Sequence, residues 1–298
     1  MTTSSTHLPR LKKVIDSVTV FIPDCFVPAA LLSLAGIILL LGSSLTFGRL
    51  NSPLLSLNNL LIAMAILLSS FAAGFVLLVI SFSKWIFVLL VFCRFWLCQP
   101  SIAGQASDLK VLQQHARDEI KSRRASLTRF GLLSILYLLL PMLIFCLAVV
   151  LKIVSLSPVL GTQALVLPHF ADLILLAVII VFGLALTTIS LIAVPIAAMS
   201  KGTAMQTVKQ TFTLSWKMLP QATVLSALIL VLNTVVANPQ VLTNCASLES
   251  YLVPSTNLPL AMFEQIWQGL VSIILFPLSL IPFCELLRYS LTEAVKFE

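Results

Sequence analysis

The stretch NLLIAMAILLSSFAAGFVLLVISF, from Asn59 to Phe82, contains no charged residue and decides the fold class of this chain. A helix needs about 20 consecutive apolar residues to cross the hydrocarbon core of a bilayer, and this stretch is long enough. Its apolar residues do not alternate with polar ones, as they would in a strand of a membrane barrel. Backbone groups in lipid have to be satisfied within their own segment. The stretch therefore predicts a membrane-spanning α-helix.

The composition extends this prediction to the whole chain. Of its 298 residues, 59% are hydrophobic and only 10% are charged, whereas soluble domains carry about 25% charged residues. We therefore predict an all-α polytopic membrane protein in which residues 1–298 form a single integral membrane domain. Six transmembrane helices are predicted, at Phe21–Leu45, Asn59–Phe82, Phe130–Ile153, Ala171–Met199, Pro220–Val236 and Met262–Cys284.

The basic residues predict the orientation of these helices. Of the 18 Lys and Arg residues, all but Arg49 and Lys152 fall on one side of the predicted membrane. Cytoplasmic segments of membrane proteins are enriched in Lys and Arg, so both termini are expected in the cytoplasm. The cytoplasmic or interfacial segments are then 1–20, 84–129 and 200–219. The net charge of +7 is accordingly interpreted as basic residues that set the topology and contact lipid headgroups. No nucleic-acid partner is expected.

The cysteines and histidines do not predict a metal, a cofactor or a disulfide framework. None of the six cysteines forms a Cys-x-x-Cys pair, and only Cys245 is predicted to lie outside the cell. Cys93 and Cys98 are expected to be ordinary apolar residues, with lipid modification as the alternative.

The apolar run Phe26–Phe47 is long and lacks a signal-peptidase site, so an uncleaved first helix is predicted.

Small and polar residues mark two candidate surfaces within the predicted spans. Small residues let helices approach closely, so a helix-packing face is predicted on the second span. The residues of this face are Ser69, Ser70, Ala73 and Gly74. A homodimer contact is the alternative role for the same face. Polar residues on the outer half of the fifth and sixth spans are candidates for interhelical hydrogen bonds or for a small polar pocket; they are Asn233, Gln265 and Gln268.

An amphipathic helix is predicted at TVKQTFTLSWKMLP, from Thr207 to Pro220. At 100° per residue, Phe212 and Trp216 share one apolar sector, while Lys217 lies opposite and Lys209 at its edge. Such a helix is typical of the membrane interface, where indole rings and lysines meet the headgroups. Trp85 and Trp96, in the aromatic and basic segment after the second span, are predicted to share that environment.

A charged cytosolic helix is predicted at Ser107–Ser126, with an apolar stripe that includes Ala116 and Ile120.

The segment LIAVPIAAMSKGTAMQTVKQTFTLSWKMLPQATVLSALILVL, Leu191–Leu232, resembles a known family. The family comprises uncharacterised six-helix bacterial inner-membrane proteins related to the membrane domain found fused to some glycerophosphodiester phosphodiesterases. The segment FPLSLIPFCELLRYSL, Phe276–Leu291, is similar to the last helix of that family. The resemblance implies six helices in the inner membrane. The sequence contains no phosphodiesterase domain, so that hydrolase activity is not expected here.

The function expected from the sequence is that of a non-enzymatic membrane scaffold or accessory protein. Its expected partners are membrane lipids, with another membrane protein or a second copy of the chain as further candidates. No nucleophile, base and acid converge in a recognisable motif, and no span carries a charge near its middle. A small transporter or permease subunit is the alternative, and a lipid-processing membrane enzyme is a weaker one.

Overall fold

The computed structural model describes residues 7–50, 57–99, 106–131, 184–185, 188–237 and 258–296, and in these ranges it contains helices and no strand. The helices are α1 (His7–Leu50), α2 (Leu57–Cys98), α3 (Ala106–Ser122), α4 (124–131), α5 (Thr188–Met199), α6 (Ala204–Ala237) and α7 (Leu258–Lys296). The helical character of the prediction is confirmed.

Four of the described helices are long and apolar enough to cross a membrane, at Leu11–Thr46, Asn58–Cys98, Ala204–Asn233 and Leu258–Ser290. They correspond to the first, second, fifth and sixth predicted spans. The predicted span Phe130–Ile153 lies almost entirely outside the described residues. Of the predicted span Ala171–Met199, the described part is essentially α5. The structure therefore supports a multi-pass membrane protein with at least these four apolar helices.

The helices run well beyond the predicted boundaries of the spans. The 42 residues of α2 correspond to about 63 Å at 1.5 Å per residue, roughly twice the thickness of a hydrocarbon core. In α6 one helix continues through Pro220 and joins the predicted amphipathic helix to the predicted fifth span. A proline removes one backbone donor and favours a kink, but neighbouring groups in a membrane protein can compensate for the lost bond.

The chain forms two compact units, which are described separately. Unit 1 comprises Met1–Arg117 and Ile229–Ile281, and unit 2 comprises Asp118–Leu228 and Pro282–Glu298.

Unit 1 is organised around the antiparallel pair of α1 and α2. The Ser81 hydroxyl donates to the Pro28 carbonyl at 2.7 Å, and the Thr46 hydroxyl lies 3.4 Å from the Ala63 carbonyl. Between these contacts the two backbones lie close because glycines face the partner helix. A Cβ atom at Gly42 would collide with the Ser70 side chain. The two helices therefore keep the same register over the whole stretch between the Ser81–Pro28 contact and the Thr46–Ala63 contact.

The small-residue face of α2 is in part different from the predicted one. Gly74 lies against Leu39 of α1, and Ser70 lies against α1 as well, so these two residues belong to the packing face. Ser69 and Ala73 are exposed. One residue along a helix is a rotation of 100°, which is enough to turn this second pair away from the interface.

The burial of α2 changes sharply along its length. From Leu60 to Ile86 it exposes a long series of large apolar side chains, whereas from Val88 to Trp96 none of its side chains is exposed. In the buried part, the Phe21 ring makes edge contacts with Phe92 and Phe95 at centroid distances of 5.1 and 5.2 Å.

Other helices of unit 1 attach to α1. The Ser33 hydroxyl donates to the Gln265 carbonyl of α7 at 3.0 Å, and Gly269 allows the two helices to approach there. The Asp24 carboxylate accepts hydrogen bonds from Gln113 at 2.9 Å and from Arg117 at 2.5 Å, which hold the first part of α3 against α1. Ala116 and Ile120 on the apolar stripe of α3 are buried, as predicted.

The change in burial along α2 predicts two different responses to one substitution. Phe92→Ala removes a fully buried ring and should destabilise the protein by about 3–5 kcal/mol, the usual cost of emptying an aromatic site in a core. Phe75→Ala, on the exposed part of the same helix, should cost far less. Thermal unfolding of both variants in one detergent measures the difference. Equal losses of stability would contradict the packing described here.

Candidate functional site

The junction between α5 and α6 in unit 2 is held by a cluster of specific hydrogen bonds. Arg123, in the turn between α3 and α4, donates to the carbonyls of Ala197 and Ala198, each at 3.3 Å. These carbonyls belong to the last turn of α5, where backbone acceptors have no partner within the helix and a positive charge is favourable. The Ser200 amide closes the turn on the Ile196 carbonyl at 2.8 Å. Arg123 therefore fixes the end of α5.

The start of α6 is fixed by a capping box. The Thr203 backbone amide donates to the Gln206 side-chain oxygen at 2.9 Å, and the Gln206 backbone amide lies 3.4 Å from the Thr203 hydroxyl. This reciprocal pair satisfies two donors at the beginning of a helix. Ser200 and Thr207 share a hydrogen bond of 2.8 Å between their hydroxyls. The loop between the helices is thus anchored at both ends.

An open cleft of about 770 Å³ lies beside this loop. Two of its lining residues are the cations Arg129, from α4, and Lys201, from the loop, and both are exposed. The described part of the chain contributes no acidic residue to the lining; its lining residues are Ser126, Arg129, Lys201, Gly202, Thr203, Ala204 and Met205. Cations, hydroxyls and the first residues of a helix are groups that favour an anion.

The outward face of α6 carries the residues of the predicted interfacial helix. Trp216 is 79% exposed and Phe212 is 50% exposed, and Lys209 and Lys217 are exposed beside them. We call these four residues the α6 strip. The opposite side of the helix is buried and consists mostly of small and hydroxyl residues: Thr207, Val208, Thr211, Ser215, Met218, Ala222 and Ser226. The strip has no membrane around it in the structure, so its position at an interface stays a prediction.

Trp85 and Trp96 do not share this exposed environment. Trp85 is 3% exposed and packs against Phe276 at a centroid distance of 4.8 Å. Trp96 is 4% exposed and lies beneath the Lys13 ammonium, which is 5.3 Å from the ring centroid. Both indoles face protein inside unit 1. Their expected contact with headgroups is therefore corrected to a role in packing, because Trp85 packs against α7 and Trp96 packs against α1.

The three residues predicted for a polar pocket are placed on α6 and α7 of unit 1. The Gln265 side chain lies against Gly36 of α1, where a Cβ atom would collide with its amide oxygen. Gln265 therefore takes part in helix packing. Asn233 and Gln268 are partly buried, and the Asn233 side-chain oxygen has no hydrogen-bond partner among the residues that the structure describes. The Glu264 Oε1 atom is buried without a partner in the same way.

Sequence reasoning missed the residues that form the cleft and its support. The pattern Thr203-x-x-Gln206 is a recognisable capping box and could have located the first residue of α6. Arg123, Ser126 and Arg129 could not have been found in this way. They approach Lys201 only because α4 packs beside a loop about 75 residues further along the chain.

The role of Arg123 gives a testable prediction. Arg123→Gln should free the last carbonyls of α5 and loosen the loop Ser200–Thr203, since a hydrogen bond to a charged group contributes about 1.5–3 kcal/mol. Hydrogen–deuterium exchange of peptides covering 196–207 should become faster. Arg124→Gln, which alters the exposed neighbouring residue, is the control. Unchanged exchange in the Arg123 variant would remove this residue from the support of the cleft.

Comparisons of the chain with protein-family models, with curated proteins and with solved structures find no match. The resemblance noted for Leu191–Leu232 therefore remains a prediction from its residues.

Proposed function

We propose that this chain is a multi-pass protein of the bacterial inner membrane, with both termini in the cytoplasm, and that it acts as a non-enzymatic scaffold or accessory protein. On its cytoplasmic face it contacts anionic lipid headgroups and so orients itself for another membrane protein. The resemblance to the membrane domain of glycerophosphodiester phosphodiesterases supports the location. The α6 strip is the observation that carries the headgroup contact.

The α1–α2 pair supports a position for the bilayer. The Ser81–Pro28 and Thr46–Ala63 contacts are the same number of residues apart on both helices, which corresponds to about 27 Å. A hydrocarbon core is about 30 Å thick. The exposed apolar side chains of α2 fall mostly between these two contacts, and Lys84 lies three residues after Ser81. Apolar side chains facing outward are stable in lipid and unfavourable in water.

The α6 strip supports contact with anionic headgroups. An indole ring with an apolar body and one N–H donor suits the headgroup level of a bilayer. Each lysine near an anionic surface contributes about 1 kcal/mol. The exposed Lys209 and Lys217 flank Trp216 on the strip, so attraction to anionic lipid and insertion of the ring would act at one place.

The geometry favours this function over a small transporter. A transporter needs a polar path to the middle of the membrane, and Gln265, a candidate for interhelical hydrogen bonds or for a small polar pocket, packs against Gly36 of α1.

The proposal predicts selective quenching of Trp216 by anionic lipid. A variant that keeps Trp216 and carries Phe at the other three tryptophans would be placed in bilayers with a small fraction of brominated lipid. Brominated phosphatidylglycerol should quench Trp216 more strongly than the same fraction of brominated phosphatidylcholine, because the lysines concentrate anionic lipid beside the ring. Replacing Lys209 and Lys217 by Gln should remove this difference.

A matched variant that keeps only Trp96 is the control. Its ring is buried among protein side chains, so neither brominated lipid should quench it efficiently. If Trp216 is quenched equally by both lipids, the anionic contact is wrong. If only a water-soluble quencher reaches Trp216, the strip does not lie at the membrane at all.

A further inference from the structure

The cleft beside the α5–α6 loop lies at a different height on α6 from the strip. Met205, which lines the cleft, precedes Trp216 along one continuous helix by a distance of about 16 Å. The headgroup layer on each side of a bilayer is only about 5–8 Å thick. If Trp216 marks the headgroup level, as proposed above, and α6 follows the membrane normal there, the cleft lies on the cytosolic side of Trp216.

The lining of the cleft indicates the charge of its ligand. Arg129 and Lys201 both line it, and the lining residues that the structure describes include no carboxylate. Two ion pairs among the described residues, Arg117 with Asp24 and Arg288 with Glu285, lie elsewhere in the chain. Two cations beside one cavity attract an anion, and a guanidinium can bind two oxygens of one phosphate group.

The support of the cleft indicates that the backbone of its loop is held in position before any ligand binds. Lys201 follows Ser200, which is anchored to Ile196 and Thr207. Gly202 lies against the Gln206 side chain that caps α6, so a larger residue at this position would disturb the cap. The hydroxyls of Ser126 and Thr203 add neutral donors to the lining.

We propose that this cleft is a binding site for the phosphate group of a soluble cytoplasmic ligand, with Arg129 and Lys201 as the residues that bind it. The inference depends on the proposed function for the position of the cleft, while its charge and shape are independent of the strip. The site would give the membrane scaffold a means of responding to a phosphorylated small molecule.

The experiment is a calorimetric titration of the full chain in nanodiscs of phosphatidylcholine with inorganic pyrophosphate. Potassium chloride at the same ionic strength serves as the blank. Saturable binding is expected, and the double variant Arg129→Gln, Lys201→Gln should weaken it by at least about tenfold, as expected for the loss of two charge-assisted contacts. The matched control is Lys110→Gln, Lys121→Gln, which removes the same charge from exposed positions of α3 and should leave the affinity unchanged.

A second titration distinguishes a soluble ligand from a lipid. Nanodiscs that contain phosphatidic acid present a phosphomonoester headgroup, and pyrophosphate should bind to the protein in them as tightly as before. Competition by phosphatidic acid that disappears in the Arg129 and Lys201 variant would identify the occupant as a lipid and overturn the proposal. Equal loss of affinity in the control variant, or no binding of pyrophosphate, would also overturn it. Selective quenching of Trp216 would in those cases still support the proposed function.

Discussion

The close antiparallel contact between α1 and α2 is the constraint on which unit 1 depends. Gly42 and Gly74 let the two backbones approach; the Ser81 hydroxyl donates to the Pro28 carbonyl at one end of the contact, and Thr46 lies beside Ala63 at the other. With the register set, Phe21 meets Phe92 and Phe95, and Asp24 is placed to receive α3. The aromatic cluster and the docking of α3 therefore both follow from a contact between small residues.

The packing along α2 has a physical explanation in terms of its surroundings. In water, apolar side chains gain free energy by leaving the solvent, so an aqueous part of a helix has to be covered by other helices. In lipid this driving force is missing, and helices associate through close contacts between small residues. The part of α2 around Ser70 and Gly74 shows the second arrangement, and the part around Phe92 and Trp96 shows the first.

Composition and periodicity were sufficient to predict the helical class, the four described apolar helices and the stripe of α3, because these depend on local sequence alone. They did not predict that α6 continues through Pro220, since that depends on compensation of the lost hydrogen bond by neighbouring groups. Trp85 and Trp96 have the composition of an interface, but their burial is decided by helices distant in sequence. The same holds for the cleft, whose cations come from α4 and from the loop before α6.

The central claim is that the exposed apolar part of α2 faces lipid and that its buried end lies on the aqueous side. The most direct measurement is electron paramagnetic resonance of nitroxide labels on α2 of the protein in bilayers. Labels would be attached to Leu68→Cys and Phe75→Cys in a background without the native cysteines, and to Cys98, which is exposed. Leu68→Cys and Phe75→Cys labels should be relaxed by oxygen far more than by a water-soluble nickel chelate, and the Cys98 label should show the opposite preference. Access of the chelate to position 75 comparable to its access to Cys98 would contradict the account.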